Sequence, residues 1–487
     1  MALMLEQGLT QATLTDLKFI KEHAMAPGFY EPPRTPPLSP LLGLLRTLWR
    51  GDGDLLSLMP ATAYRVPIGP LGYSRRSILI LNDPDLYRGI LTDPTDIFPK
   101  NDLMTGALGP LVGDSLFVSS GPLWRRQRTM IDPAFSQLRV TQAFTGMQSA
   151  VDAYEDKLAR RARDGETFSL DFAMSELTAD VICRTIFSTS LASETAQSVF
   201  SAFAVFERSA AHIELGRLIF SKPFSAIPQH AEVLKACEII RAQLGTLVDA
   251  RLALPEGAWP DDIASAVMRA RDPESGAPFS RKELIDQLGV FFLAGHETTA
   301  SALIWVFFIL SQRPEFLEPL REEVGNIYGD APFDYAGLRS LHYTRAVFRE
   351  AMRLYPPITF IPRVAAEATR LGPYRVKRGA MLMVSPWVIH RHEKHWPNPH
   401  RFDPSRFFGA AEKTHRPGTY LPFGLGPRVC VGADFATIEA SLIMATLLRR
   451  FDFEILAPEA VRPVARLTTR PREEIQARVH LRTGQGT

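Results

Sequence analysis

Residues 423–432 read F-G-L-G-P-R-V-C-V-G. Gly424 and Gly426 permit backbone angles that other residues avoid, so the segment can turn tightly and aim its amides at the Cys430 sulfur. An apolar segment of helical periodicity runs from Gly432 to Arg450, which puts Cys430 just ahead of a helix N-terminus. That position favours an anion, lowers the pKa of a thiol and makes its thiolate a good metal ligand.

The other two cysteines, Cys183 and Cys237, lie far off in helical segments without a C-x-x-C pair. Zinc and iron–sulfur clusters need three or four such ligands, so neither is expected. A single thiolate suits haem iron, whose in-plane ligands come from the porphyrin. Arg428 would then pair with a propionate and Phe423 pack against the ring. For a cysteine taken alone, a small buried residue in a Gly/Pro loop is the alternative reading.

Upstream, A-G-H-E-T-T at 294–299 places an acid and a hydroxyl in the middle of an apolar run from Leu288 to Leu310. The run is long enough to span a bilayer, but lipid would penalise its polar centre, so a buried core helix is expected. Backbone bonding by Thr inside a helix is the bland account of the hydroxyls. In F-R-E-A-M-R-L-Y-P-P at 348–357, Glu350 and Arg353 share one helix face and can pair. In G-P-L-W-R-R-Q-R at 121–128, Trp124 and Arg128 stand four apart. His390, His392, His395 and His400 look like a metal cluster, but the H-E-K-H spacing is one residue short of H-E-x-x-H and prolines interrupt it. They are expected to be loop residues near the surface.

The chain has 487 residues and a net charge of +2, with no long basic or acidic run, so nucleic acid is not an expected partner. Its sparse cysteines suggest a reducing, cytoplasmic setting. No basic-then-apolar leader and no N-terminal membrane span is visible. Residues 26–40 are proline-rich and read as an extended lead-in. A small β unit is expected next, with strands at Tyr64–Pro67 and Ser77–Leu81 and Asp83 or Asp85 opening a short helix. Helical periodicity dominates from about 122 to 355, clearest over Thr141–Ala162, Ser175–Ser188, Gln229–Leu252, Arg281–Ser311 and His342–Tyr355. Short strands and irregular chain follow, then the helix after Cys430 and a strand-rich tail. The fold class is therefore mainly α with a minor β-rich part, in one unit without a separating linker.

The cysteine loop resembles the haem-thiolate loop of the cytochrome P-450 family, Phe-x-x-Gly-x-Arg-x-Cys-x-Gly, matched at Phe423, Gly426, Arg428, Cys430 and Gly432. The upstream motifs follow in that family's order, and the resemblance spans nearly the whole chain. It implies the cytochrome P-450 fold over residues 1–487, as a lead-in (1–40) and a catalytic fold (41–487), in a soluble bacterial-type member. It implies haem b as cofactor, with Cys430 the axial ligand of the iron. Thr298 becomes the hydroxyl beside bound dioxygen, Glu297 the acid of the proton route, and Gly295 a position that leaves room for oxygen. Glu350, Arg353 and, from Pro404–Phe407, Arg406 become a structural lock. Trp124, Arg128 and Arg363 join Arg428 at the propionates.

The resemblance further implies a monooxygenase that hydroxylates or epoxidises a lipophilic small molecule, with electrons from a ferredoxin or flavodoxin-type protein. Arg125, Arg126, Arg449 and Arg450 could form a positive docking patch, or simply solvated helix faces. Leu103, Met104, Phe117, Phe206, Ile213, Leu218, Phe291, Ala294, Ile358, Thr359 and Phe360 fall in the segments that line the family's substrate pockets. Peripheral membrane contact is open through Leu41–Trp49 or the segment Phe200–Phe224. The alternatives are a peroxide-driven or isomerising haem-thiolate enzyme and a non-catalytic haem sensor.

Overall fold

Ser280 starts the helix that organises the molecule. In the computed structural model, which describes residues 30–39, 41–43, 45–46, 54–71, 77–93, 96–100, 102–210 and 229–482, Ser280 and Glu283 form a reciprocal capping box at its first turn. The helix runs Arg281–Gln312 and is apolar on all sides, so it must be covered on all sides. Among the described residues it is the one helix long and apolar enough to cross a membrane, yet 83% of its most apolar window is buried in the protein. The buried-core expectation holds.

Long helices in chain order are α1 (Asp102–Val112), α2 (Gly121–Ile131), α3 (Gln137–Asp164), α4 (Leu170–Ile186), α5 (Glu194–Ala210), α6 (Ala231–Leu252), α7 (Arg281–Gln312), α8 (Pro314–Tyr328), α9 (His342–Leu354) and α10 (Ala433–Arg450). Local chemistry sets their ends. Pro314 follows the last residues of α7, Pro356 and Pro357 stop α9, and Gly165 closes α3 in the left-handed conformation. The periodic segments expected from the sequence match α3, α4, α6, α7, α9 and α10 to within a few residues at each end.

The β part is small. One sheet has the order β1 (Ile68–Pro70), β2 (Ile78–Leu81), β7 (Met381–Val384), β4 (Ile361–Val364), with β2 and β7 parallel and the other pairs antiparallel. A second joins β3 (Phe168–Ser169), β11 (Gln476–Leu481) and β8 (Phe451–Ile455), while β5 (Thr369–Leu371) pairs with β6 (Tyr374–Val376) and β9 (Pro463–Ala465) with β10 (Thr469–Pro471). The strand expected at Tyr64–Pro67 is displaced. Residues 61–64 form a tight helical turn, and the strand begins only after Pro67, which has no N–H to pair. Asp83 opens the short helix that follows, accepting from the Asp85 amide at 2.9 Å.

The β10 strand is fixed to α7 through one carbonyl. Thr469 O accepts from Ser301 Oγ and from Trp305 Nε1, each at 2.8 Å, and Trp305 stacks flat on Tyr355 at 3.9 Å. This carries the tail of the chain back to the centre, where Thr468 and Arg470 reach α7. Leu41, Leu42 and Leu45 are exposed; Trp49, Ile213 and Leu218 lie outside the described residues, as do the side chains of Leu103 and Met104.

Candidate active site

The cysteine loop is held by its own backbone. Gly424 and Gly426 adopt φ of 82° and 76°, and a Cβ on Gly426 would stand 2.8 Å from the Leu91 carbonyl oxygen. The Cys430 amide donates to Phe423 O at 2.9 Å, closing the turn. Gly432 is the N-cap of α10. Cys430 is exposed, but the protein around its sulfur desolvates a thiolate enough to lift the free thiol above its ordinary value, against the lowering effects of the Gly432 amide and Arg128. The expectation of a lowered thiol is therefore corrected, because burial outweighs the helix end. A bound cation reverses that balance, since coordination deprotonates a thiol outright.

Three cations converge near this loop. Arg428 lies over the Trp124 ring, 4.1 Å from its centroid, and donates to Ser119 O at 3.0 Å. Arg363 is buried on β4, and its neighbour across an isolated β-bridge is Lys100. Burial depresses all three, Arg428 and Arg363 each to about 10, and Arg428 depresses both others further. Among the described residues none of the three has a carboxylate at ion-pair distance. Lys100 was not singled out by the sequence reading; its one signal is that F-P-K at 98–100 precedes an apolar helix. Arg128 differs from expectation: Asp132 Oδ1 holds its Nε at 2.6 Å, and it donates to Val429 O at 2.6 Å.

Across from the loop stands α7. From Leu284 to Leu310 every residue is buried except Ala294, Gly295 and Thr298, which are partly exposed. Thr298 donates its hydroxyl to Ala294 O at 2.7 Å. Gly295 is partly exposed and serves helix packing as well. A Cβ there would meet Ile182 Cδ1 at 2.4 Å, so this glycine exists to let α4 pack against α7. Glu297 is 1% exposed and faces the tail: Thr468 Oγ1 donates to its Oε1 at 2.5 Å, Arg470 Nε to the same oxygen at 3.0 Å, and Arg470 Nη2 to Oε2. Glu297 and Thr298 are thus not brought together.

Beneath the loop the expected lock is present. Arg353 grips Glu350 through two N–H bonds of 2.7 Å and donates to the carbonyls of His390, Pro399 and Arg401. Arg406 Nε lies 3.6 Å from Glu350 Oε1, and Arg406 Nη2 donates to Pro397 O at 2.7 Å. Both Glu350 and Arg353 are fully buried, where losing either partner leaves an unpaired charge.

His390 and His392 are buried, which corrects the surface reading. His390 Nε2 accepts from the Leu421 amide at 2.7 Å, so it ties the segment before the cysteine loop to the lock. Among the described residues no three His, Cys, Asp or Glu side chains come together to hold a metal ion by themselves.

Comparison with known proteins decides the identity. The sequence model of the cytochrome P-450 family matches residues 33–478. The chain belongs to the cytochrome P-450 family. It is 32% identical to Protein LUTEIN DEFICIENT 5, chloroplastic, of Arabidopsis thaliana, over 83% of this chain and 69% of that one. It is 32% identical to cyclooctat-9-en-7-ol 5-monooxygenase of Streptomyces melanosporofaciens, over 85% and 87%. The crystal structure of the cytochrome P450DA heme domain superposes with a TM-score of 0.79 at 25% identity, covering 93% of this chain and 98% of that one. This protein is a haem-thiolate monooxygenase, and its cofactor is haem b.

The residues present fit that group. One thiol on a rigid loop suits the iron, and one buried cation (Arg363) with two half-buried ones (Arg428 and Lys100), none paired to a carboxylate, suit the two propionates. Of the candidate substrate residues, Phe206 and Phe291 are packed in the core, Phe291 edge-on to Phe135 at 5.2 Å. Thr359 is buried, while Phe117 and Phe360 are half-buried. The proposed docking arginines are largely compensated: Arg125 by Asp96, Arg126 by Glu283, Arg450 by Glu155.

Proposed function

We propose that this enzyme inserts one oxygen atom into a lipophilic small molecule, by hydroxylation or epoxidation. The observation that carries the reading is that α7 is closed everywhere along its buried stretch except at Ala294, Gly295 and Thr298. A helix that admits solvent only at two small residues and a hydroxyl offers shape and one hydrogen-bonding group, with no charge. Bound haem supplies the oxygen-activating chemistry, with the thiolate favouring O–O cleavage.

The residues of this chain do the rest. Cys430 would hold the iron, with Phe423 and Gly426 shaping its loop. Arg428, Arg363, Lys100 and Trp124 would hold and orient the propionates, with Arg128 bracing the loop through Val429 O. Thr298 would offer a hydroxyl on the oxygen side, and Glu297 would relay protons toward it. Phe117, Ala294, Thr359 and Phe360 meet the substrate. The apolar character of these side chains supports a lipophilic substrate, as does the relative named for cyclooctat-9-en-7-ol.

A separate ferredoxin or flavodoxin-type protein supplies the electrons. Supporting this, Cys183 and Cys237 are free and buried, so this chain's cysteines leave no four-thiolate cluster beside Cys430. The same sparse, free thiols support a cytoplasmic setting.

The absorption spectrum of the reduced protein under carbon monoxide tests the core of the reading. A strongly red-shifted Soret band is expected in the haem-loaded protein and is lost in Cys430→Ala. A band at the ordinary histidine-ligated position in the unaltered protein overturns it. For the substrate, a library screened for displacement of the water ligand, with product then sought by mass spectrometry, should return apolar compounds.

A further inference from the structure

Arg470 faces more acid than it can neutralise. Its Nε and Nη2 bind both oxygens of Glu297 on α7. The same Nε lies 3.4 Å from Glu207 Oε1 on α5, and Asp171 at the start of α4 acts on it electrostatically. Glu207 and Glu297 thus share one guanidinium nitrogen, Arg470 Nε, which lies 3.0 Å from Glu297 Oε1 and 3.4 Å from Glu207 Oε1. Two like charges held this close disfavour each other's ionisation, so one of the two carboxyls keeps a proton.

Geometry says which carboxyl carries it. Glu297 receives two guanidinium bonds and the Thr468 hydroxyl, all of which favour the anion. Glu207 receives one long contact. Their exposures differ as well: the Glu207 side chain is 21% exposed and the Glu297 side chain 1%. Water therefore reaches Glu207 first.

We propose that Glu207 is the proton donor that replenishes Glu297. The O–H bond of Glu207 breaks as its proton passes to the Glu297 carboxylate, and water on the solvent side then reprotonates Glu207. This rests on Glu297 acting in proton delivery. Glu207 works through Glu297 and not on the substrate, which makes it a positioning residue for the proton.

The electrostatics agree. Burial, then the neighbouring Glu297, push Glu207 up to about 8, so it holds a proton at neutral pH. Burial would raise Glu297 as well, but Arg470 brings it below its ordinary value, so Glu297 is an anion and has no proton of its own to give. The other groups facing the pair are Asp171, at about 6, and Ser175 from α4, His296 of α7, kept neutral by burial at about 4, and Arg466 ahead of β10.

Infrared difference spectroscopy of the haem-loaded protein gives a readout apart from turnover. A protonated-carboxyl band should vanish with a midpoint of about 8, persist in Asp171→Asn and be absent in Glu207→Gln. In the same variant, product formed per electron pair should fall roughly tenfold, and the alkaline limb of the activity profile near that midpoint should disappear. Glu207→Asp should restore part of both. If the unaltered protein shows no such band, or Glu207→Gln keeps both the band and the alkaline limb, the proposal is overturned. If Glu297→Gln uncouples turnover while Glu207→Gln does not, only Glu207 is excluded. If Glu297→Gln is itself fully coupled, the underlying role of Glu297 fails too.

Discussion

Glu297 and Thr298 adjoin in sequence yet serve different partners. The Thr298 hydroxyl is turned onto Ala294 O, and the Glu297 carboxylate is held by Thr468 and Arg470. A proton moving from one to the other must cross a gap that side-chain motion or water fills, and the strength of the Arg470 grip controls how readily Glu297 turns.

Thr298→Ala removes a hydroxyl whose bond to its own helix contributes little to folding. The variant should keep its haem content and carbon-monoxide spectrum but divert electrons to peroxide. Peroxide release per electron pair, measured beside product, should rise several-fold, on the scale that general acid–base groups contribute. Unchanged coupling removes Thr298 from the proton route.

Gly295→Ala should destabilise by roughly 1 to 3 kcal/mol through overpacking against Ile182. Ile182→Ala in the same chain should recover most of that loss, because it clears the atom in the way. Denaturant unfolding of the two single variants and the double variant checks this. Strict additivity rules out the contact.

Replacing Glu350 or Arg353 by Ala breaks a fully buried ion pair, at a cost of about 3 to 5 kcal/mol. Arg353→Lys should fare poorly as well, since an ammonium cannot reach the three carbonyls and both carboxylate oxygens that the guanidinium serves. Thermal unfolding and haem retention are the measurements.

Lys100→Met should weaken haem retention by about 2 kcal/mol, or roughly thirtyfold in Kd, if the ammonium makes a charge-assisted bond to a propionate. Transfer of haem to a competing acceptor protein gives the number. A retention equal to that of the unaltered protein assigns Lys100 to Phe117 O alone.

Acid should unfold this protein through its buried imidazoles. Burial lowers His296 to about 4 and His390 and His400 to about 3. Below about 6.5 the unfolded chain binds protons at these sites that the folded chain refuses. Stability from His296 is therefore complete above its ordinary value of 6.5 and drains as pH falls toward about 4, by up to about 3 kcal/mol. His296→Phe, set among Phe200, Phe203 and Phe292, should flatten that part of a curve of unfolding midpoint against pH.

What could be read from the sequence was whatever chemistry is local. The cysteine loop, the Glu350–Arg353 pair and the helices with apolar periodicity are each defined by residues within a few turns of one another. What escaped is assembled from distant chain. Lys100 joins Arg363 only because two far-apart segments form a bridge. Arg470 reaches Glu297 only because Thr469 O is pinned by Ser301 and Trp305. Gly295 has the same limit: its position beside Thr298 does not reveal that its Cβ direction belongs to Ile182. A spacing rule names the face of a helix without saying which neighbour occupies it.

The narrow window of α7 also limits how the enzyme can be changed. Ala294 and Gly295 carry almost no side chain, so substitution there can only add bulk, and at Gly295 it strains the core. Of the proposed substrate contacts, Phe360 is half-buried and lies off this helix, so new specificity is more readily written there. Substitution there leaves the Gly295–Ile182 packing and the Lys100–Phe117 contact untouched.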